Sequence, residues 1–301
     1  MTRQGLAPSA NGLSEAAPRA LAYAARHCGL DDAGARLIRM FGTAVYHLPA
    51  AGAVARIAMV TSPQSAERLA TSVRVTRWLA TAGFPAVKPL ACDQPVLSHG
   101  CAVTLWHHLP QRGPEPSTAD LGRLLRRLHS LGPPPFALPD FRPLGSVRRA
   151  IHASQAIGDD ERTWLSDHCQ HLLRAYDQLA FELPAGMIHG DAWWGNLLRD
   201  GKRVVLADWD AVSTGPREVD LVPTLQAARF GLPSADRDAF IAAYGHDVRN
   251  WPGYPVLRGI RELATLTALL RDAPADPAAK DELQVRIRSL RTGDSCRWTT
   301  F

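Results

Sequence analysis

The stretch of the chain best equipped for chemistry runs from Met187 to Asp210. Ile188-His189-Gly190-Asp191-Ala192-Trp193-Trp194-Gly195-Asn196-Leu197-Leu198 is followed by Val204-Val205-Leu206-Ala207-Asp208-Trp209-Asp210. Two short apolar segments flank a polar loop that carries Asp191 and Asn196. The turn signal Asp200-Gly201 predicts a hairpin that returns Asp208 to the side of that loop. Two carboxylates and one amide oxygen brought together are hard ligands. They suit Mg²⁺, which keeps positions for water and phosphate rather than filling a protein cage. A carboxylate left off the metal can accept a proton from an attacking hydroxyl. With a cation on the nonreacting phosphate oxygens, these are the parts of phosphoryl transfer. A lone Asp in such a setting more often only caps a turn. Here His-Gly-Asp, an Asn five residues on and an Asp twelve beyond that occur together, and this favours the chemical reading.

Those loops need a scaffold, and the flanking sequence supplies one. Ser14 reads as the cap of an Ala-rich helix reaching about His27. Strand patterns follow at 36–41, 45–48 and 54–59, then a helix over 65–82, then strands at 96–97 and 102–106. This order predicts a small antiparallel sheet crossed by one helix. After Pro110 the pattern becomes helical, from Ser117 with Leu121, Leu124, Leu125 and Leu128 on one face. It continues over 146–155, 160–180, 233–245, 256–271 and 278–291. The expected layout is a disordered tail 1–14, an N-terminal nucleotide-binding lobe 15–105, a hinge 106–110 and a catalytic and substrate-binding lobe 111–301.

Composition narrows the function classes. The 301 residues are 46% hydrophobic and 21% charged, ordinary globular proportions. No run of 18 apolar residues exists, so a membrane-spanning helix is excluded, and the first twenty residues lack the pattern of a secretory signal. Five scattered cysteines fit a reducing cytoplasm, which is the expected location. The net charge of +5 comes from the first hundred residues, with ten basic side chains against five acidic; the remainder is balanced. No basic stripe suggests nucleic acid, so the expected partners are a nucleotide and a small hydroxyl-bearing molecule, with neither nucleic acid nor membrane. The chain has no G-x-x-x-x-G-K-[ST] loop and no G-x-S-x-G elbow. His168 and His171 could share a metal at helical spacing, but no carboxylate accompanies them.

His189-Gly190-Asp191 with Asn196, followed by Asp208-Trp209-Asp210, resembles the aminoglycoside phosphotransferase family, relatives of choline kinase with a protein-kinase-like fold. Thr104-Leu105-Trp106 resembles the family's hinge, Leu121 to His129 its Leu-Gly-x-Leu-Leu-x-x-Leu-His helix, and Gly215 to Leu221 the segment after its metal-binding Asp. The resemblance covers roughly residues 35 to 275. It implies an α+β, bilobal fold: a small N-terminal antiparallel sheet plus helix, and a larger, mainly helical C-terminal lobe. It further implies ATP as co-substrate, Mg²⁺ as cofactor and transfer of the γ-phosphate to an alcohol.

By that resemblance Asp191 is the catalytic base, and Asn196 and Asp208 hold Mg²⁺. Asp210 either touches a second metal or fixes the strand end. His189 braces the loop, and Asp220 anchors it by accepting backbone hydrogen bonds. Arg56, on the third strand, stands where the family places the cation for the ATP phosphates, and Val54 on the same face would press on adenine. Trp106, His107, His108 and Leu198 complete the expected nucleotide contacts. One departure is plain: Ser72 stands where relatives carry a glutamate to pair with that cation. Glu67 lies about 140° away around the helix and cannot substitute. Arg39 has no matching slot, and Lys88 is the reserve cation.

The acceptor stays open at this point. The family default is an aminoglycoside, with antibiotic resistance as its consequence; amino alcohols, sugars and other metabolites are the alternatives. A polycation needs carboxylates, and Asp236, Asp238, Asp247 and Glu262 are the candidates, with Asp159, Asp160 and Glu161 further off. A catalytically silent nucleotide-binding protein is the competing class, but it would be expected to have lost Asp191, Asn196 or Asp208.

Overall fold

A computed structural model describes residues 10–300, which pack as two compact units. The first runs to Pro116 and takes in residues 196–212; the second holds 117–195 and 213–301. The first unit thus extends past the expected hinge, and the Asn196–Val212 segment packs with it rather than with the helical part.

The first unit opens with α1 (Ala10–His27). This helix starts four residues before Ser14, so residues 10–14 are helical rather than a tail; the remaining tail residues, 1–9, lie outside the described residues. A five-stranded antiparallel sheet follows: β1 (Arg36–Phe41), β2 (Thr43–Leu48), β3 (Ala53–Met59), β4 (Val96–Ser98) and β5 (Cys101–His107), in the order β1-β2-β3-β5-β4. Strand β3 shows why the sheet folds this way. Its Ala53, Ala55 and Ile57 are buried in the core formed with α1, while Val54, Arg56 and Ala58 alternate onto the other, half-buried face. Trp106 and His107 lie within β5, so the expected link 106–110 begins inside a strand.

Helix α2 (Pro63–Thr81) starts two residues before the sequence reading, because Ser62 caps it and Pro63 sits in its first turn. A last hairpin, β7 (Leu197–Asp200) with β8 (Arg203–Leu206), turns at Gly201 as expected. It is secured by Val87 donating to the Leu206 carbonyl and Leu206 to that of Pro85.

Among the described residues the regular structure of the second unit is helical apart from one short strand pair. Helices α3 (Thr118–His129), α4 (Gly145–Ala153) and α5 (Asp159–Tyr176) precede β6 (Gly186–Ile188), and β9 (Ser213–Gly215) pairs with β6. The apolar segment before the loop therefore pairs with β9 and takes no part in the β7–β8 hairpin. Then come α6 (Glu218–Gln226), α7 (Ser234–Tyr244), α8 (Tyr254–Ala264), α9 (Leu266–Asp272) and α10 (Pro277–Thr292). Helices α3 and α7 approach closely at Gly122, where an added Cβ would stand 2.5 Å from the Phe240 carbonyl. The helix expected over 256–271 breaks at Thr265 into α8 and α9. Helix α6 has no counterpart in the sequence reading. It is buried along nearly its whole length, so it lacks an amphipathic period, and it contains Pro223.

Candidate active site

In the second unit, the loop after β6 hangs from Asp220 on α6. The backbone N–H groups of His189 and Gly190 donate to the two Asp220 oxygens, each at 2.7 Å. Asp220 is fully buried, and His129 Nε2 lies 3.1 Å from its Oδ2, with His129 Nδ1 2.9 Å from the Tyr244 hydroxyl. Burial, reinforced by Asp220, pushes the Tyr244 phenol upward, so that hydroxyl stays protonated. Gly190 adopts φ +81°, a left-handed turn that glycine takes without strain. His189 is fully buried, its Nδ1 3.4 Å from the Asp191 backbone nitrogen. Asp191 is half-exposed, and its Oδ1 accepts from Arg261 Nη1 at 2.7 Å. One segment back, Glu218 Oε1 accepts from the backbone N–H groups of Glu182 and Leu183, securing the approach to β6.

In the first unit, Asn196 precedes β7 and its carbonyl accepts from Ala207 at 2.9 Å, so Asp208 follows directly at the end of the hairpin. Asp208 is left-handed, with φ 64° and ψ 59°, a conformation that Asp tolerates better than most side chains. The fully buried Trp209 fixes that bend. Its indole donates to the Leu206 carbonyl at 2.9 Å and its ring meets Phe84 edge-on.

Arg56 closes the cluster. Its Nη2 donates to Asp208 Oδ1 at 2.8 Å and to Asp210 Oδ2 at 3.0 Å, and its Nη1 reaches Asp210 Oδ1 at 3.3 Å. This answers the question raised by Ser72: the arginine is held by the two aspartates, and Glu67 instead pairs with Arg74. Burial alone would lower the Arg56 pKa, but the charges of Asp210 and Asp208 overcome it and leave the guanidinium more firmly protonated. Burial pushes the Asp210 carboxyl up, Arg56 pulls it back, and repulsion from Asp208 adds to the rise. The Ser72 hydroxyl is fully buried and has no hydrogen-bond partner among the described residues.

Two carboxylates facing one guanidinium leave one surplus negative charge, and the Asn196 amide is close by in the chain. This donor set fits a hard divalent cation. Among the described residues no group of three or more His, Cys, Asp and Glu side chains could hold a metal, so His168 and His171 have no such partners. Mg²⁺ does not need an all-protein cage.

Val54 pairs with His47 on one side and Trp106 on the other. Trp106 is buried with its indole donating to Thr104 Oγ1. The backbone N–H groups of His107 and His108 are already taken, by the Lys88 and Gly52 carbonyls. The His108 ring lies 4.1 Å from that of His47, and burial, then His47, lowers its pKa. Leu198 is half-buried on β7 opposite Val205. Lys88 and Arg39 are exposed.

The carboxylates expected to attract a polycation are mostly engaged by arginine. Glu262 is buried and its Oε1 accepts from Arg229 and Arg258 at 3.0 and 2.9 Å. Asp238 and Asp247 share Arg249. Asp236 stands exposed in the first turn of α7, its carbonyl accepting from Thr118. Three of these four carboxylates are thus offset by arginine.

Two contacts of this loop and its anchor escaped the sequence reading. Arg261 lies 70 positions from Asp191, and no local spacing announces the pair. The side chain of His129 closes a helix motif that is visible in the sequence, but its bridge to Asp220 depends on where α6 falls.

A small antiparallel sheet with its helix, together with a mainly helical remainder, defines the protein-kinase-like class of phosphotransferases. The chain belongs to the phosphotransferase enzyme family, which matches residues 41–260. Among solved structures it is similar to an amicoumacin kinase in complex with AMP-PNP, Ca²⁺ and Ami, at 14% identity and TM-score 0.72, covering 92% of this chain and 93% of that one. It is similar to an aminoglycoside phosphotransferase from Streptomyces rimosus at 18% identity and TM-score 0.57, covering 83% and 98%. A choline/ethanolamine kinase family protein from Mesorhizobium loti gives 17% identity and TM-score 0.60, covering 90% and 94%. No curated protein matches the chain in sequence. No helix of the described residues is long and apolar enough to cross a membrane.

Proposed function

We propose that the chain is an ATP-dependent, cytoplasmic small-molecule kinase that transfers the γ-phosphate to a hydroxyl. The observation that carries this reading is the Arg56–Asp208–Asp210 cluster, a phosphate-seeking cation set among surplus carboxylate charge. Family membership and the similar amicoumacin kinase, held with AMP-PNP and Ca²⁺, support it.

In this reading Asn196 and Asp208 hold Mg²⁺, which when bound neutralises charge on the phosphates. Asp210 takes two of the three Arg56 contacts, so it would hold the arginine in place with Asp208 engaged by the metal. Arg56 then meets phosphate oxygens with its planar fork. Val54, Trp106 and Leu198 supply apolar contact for the base, and at His107 and His108 only the carbonyls remain for backbone recognition. Asp191 orients the acceptor hydroxyl and takes its proton. His189 and Asp220 keep the loop rigid through the two 2.7 Å bonds from its backbone.

The test is ATP consumption by the full chain against a panel of antibiotics and hydroxylated metabolites, with the product identified by mass. A phosphorylated acceptor is the expected result. Failure to bind Mg-ATP would overturn the reading.

A further inference from the structure

We propose that Arg261 selects the acceptor by pairing with a carboxylate carried near the hydroxyl to be phosphorylated. This inference rests on the kinase reading of Asp191. Arg261 projects from α8 and uses only Nη1 on Asp191. Its Nε is buried and has no hydrogen-bond partner among the described residues. A buried donor left unmade costs free energy; the side chain is 27% exposed, and a carboxylate arriving at Nη2 would offer the covered Nε a second, parallel bond once the side chain shifts to admit it.

The surroundings point the same way. A polycationic acceptor needs free carboxylates, yet Glu262, Asp238 and Asp247 are each paired with arginine, and Asp191 itself has Arg261 beside it. A single guanidinium already facing one aspartate matches a singly charged carboxylate better than a doubly charged phosphate. When Asp191 takes the hydroxyl proton it becomes neutral, and the substrate carboxylate then balances Arg261 alone. The device thus ties recognition of the acceptor to the proton transfer.

The experiment compares glycerate, threonate and gluconate with their amides, a sugar phosphate and an aminoglycoside, using the full chain with Mg-ATP. The expected result is that at least one hydroxy carboxylate is phosphorylated with kcat/KM ten times or more above that of its amide. Arg261→Ala should raise KM for that acid about tenfold or more while leaving KM for ATP unchanged, and Arg261→Lys should recover part of the loss. Equal use of acid and amide, preference for the aminoglycoside or the sugar phosphate, or a loss in kcat alone would overturn the proposal and leave Arg261 as a support for Asp191. A binding arm separates the two readings: the acids are titrated calorimetrically into the chain loaded with Mg-AMP-PNP. Arg261-dependent binding without ATP turnover overturns the kinase reading and keeps carboxylate recognition. Absence of carboxylate binding overturns recognition while leaving the kinase reading standing.

Discussion

Two arginine–carboxylate sites, one in each unit, use the same chemistry at different depths. Arg56 is 16% exposed and faces two aspartates, exposed by 32% and 30%. Arg261 is 27% exposed and faces one aspartate, exposed by 37%. In the first site the positive charge is outnumbered and the arginine itself is mostly covered, so it is held twice over and a second cation is electrostatically welcome. In the second the charges match and water reaches them, so the pair can open at small cost. Charge count and the cover over the arginine, rather than the presence of an ion pair, separate the two sites.

The largest expected effect lies at the open site. Asp191→Asn should lower kcat by about a hundredfold to ten-thousandfold, because an amide cannot take the hydroxyl proton. Mg-nucleotide affinity should be unchanged in the same variant, measured by calorimetry. Near-normal turnover would remove Asp191 from its role.

Next comes the closed site. Asp208→Ala should abolish most of the Mg²⁺-dependent gain in nucleotide affinity, and Asn196→Ala should give a milder version of that defect. Metal titrations with AMP-PNP distinguish them, and unchanged metal dependence would break the assignment.

Stability sharpens the contrast further. Arg56→Ala leaves two carboxylates facing each other. Its unfolding free energy should drop by less than the roughly 3–5 kcal/mol of a fully buried pair, yet by more than the about 0.2–1 kcal/mol of an exposed one. Arg261→Ala should fall in the lower range, and the exposed Arg39→Ala should stay within about 0.5 kcal/mol of the parent. Adding Mg²⁺ should restore part of the loss in Arg56→Ala and none in Arg261→Ala, read from urea midpoints.

A third pair, Arg123–Asp120 on α3, couples a surface charge to a helix cap. Burial alone would raise the Asp120 pKa, but hydrogen bonds from the Ser117 backbone and hydroxyl, and from Arg123, more than offset it, so the value is lowered. Its contribution to α3 is complete above the unfolded carboxylate pKa of about 3.9 and is lost as pH falls through the lower folded value. Ser117→Ala should bring the Asp120 titration back up and cost about 0.5–2 kcal/mol, checked by carboxyl NMR and urea unfolding.

The sheet and most helices were legible because each has one wet face and one dry one. Strand β3 alternates, and α3 repeats Leu121, Leu124, Leu125 and Leu128. Helix α6 was not, since burial on nearly all sides erases the period. The pairing of β6 with β9 was hidden as well. Three-residue strands carry too little pattern to name a partner across the 24 positions between them.

The sequence alone singles out the candidates for chemistry: the Asp191, Asn196 and Asp208 spacing, the Asp220 segment, and Arg56 on the dry-backed third strand. These follow from residue type and local period, which every window of the chain displays. It also left a gap at Ser72, where the expected glutamate is missing. What fills that gap comes from the packing, which brings Asp208 and Asp210 to an arginine more than 150 positions away. Likewise, only the tertiary structure placed Arg261 on Asp191 and arginines on Glu262, Asp238 and Asp247. Most of these pairings join separate elements, so no local period records them. They form because a charge withdrawn from water must find its counterion in whatever element folding brings within reach.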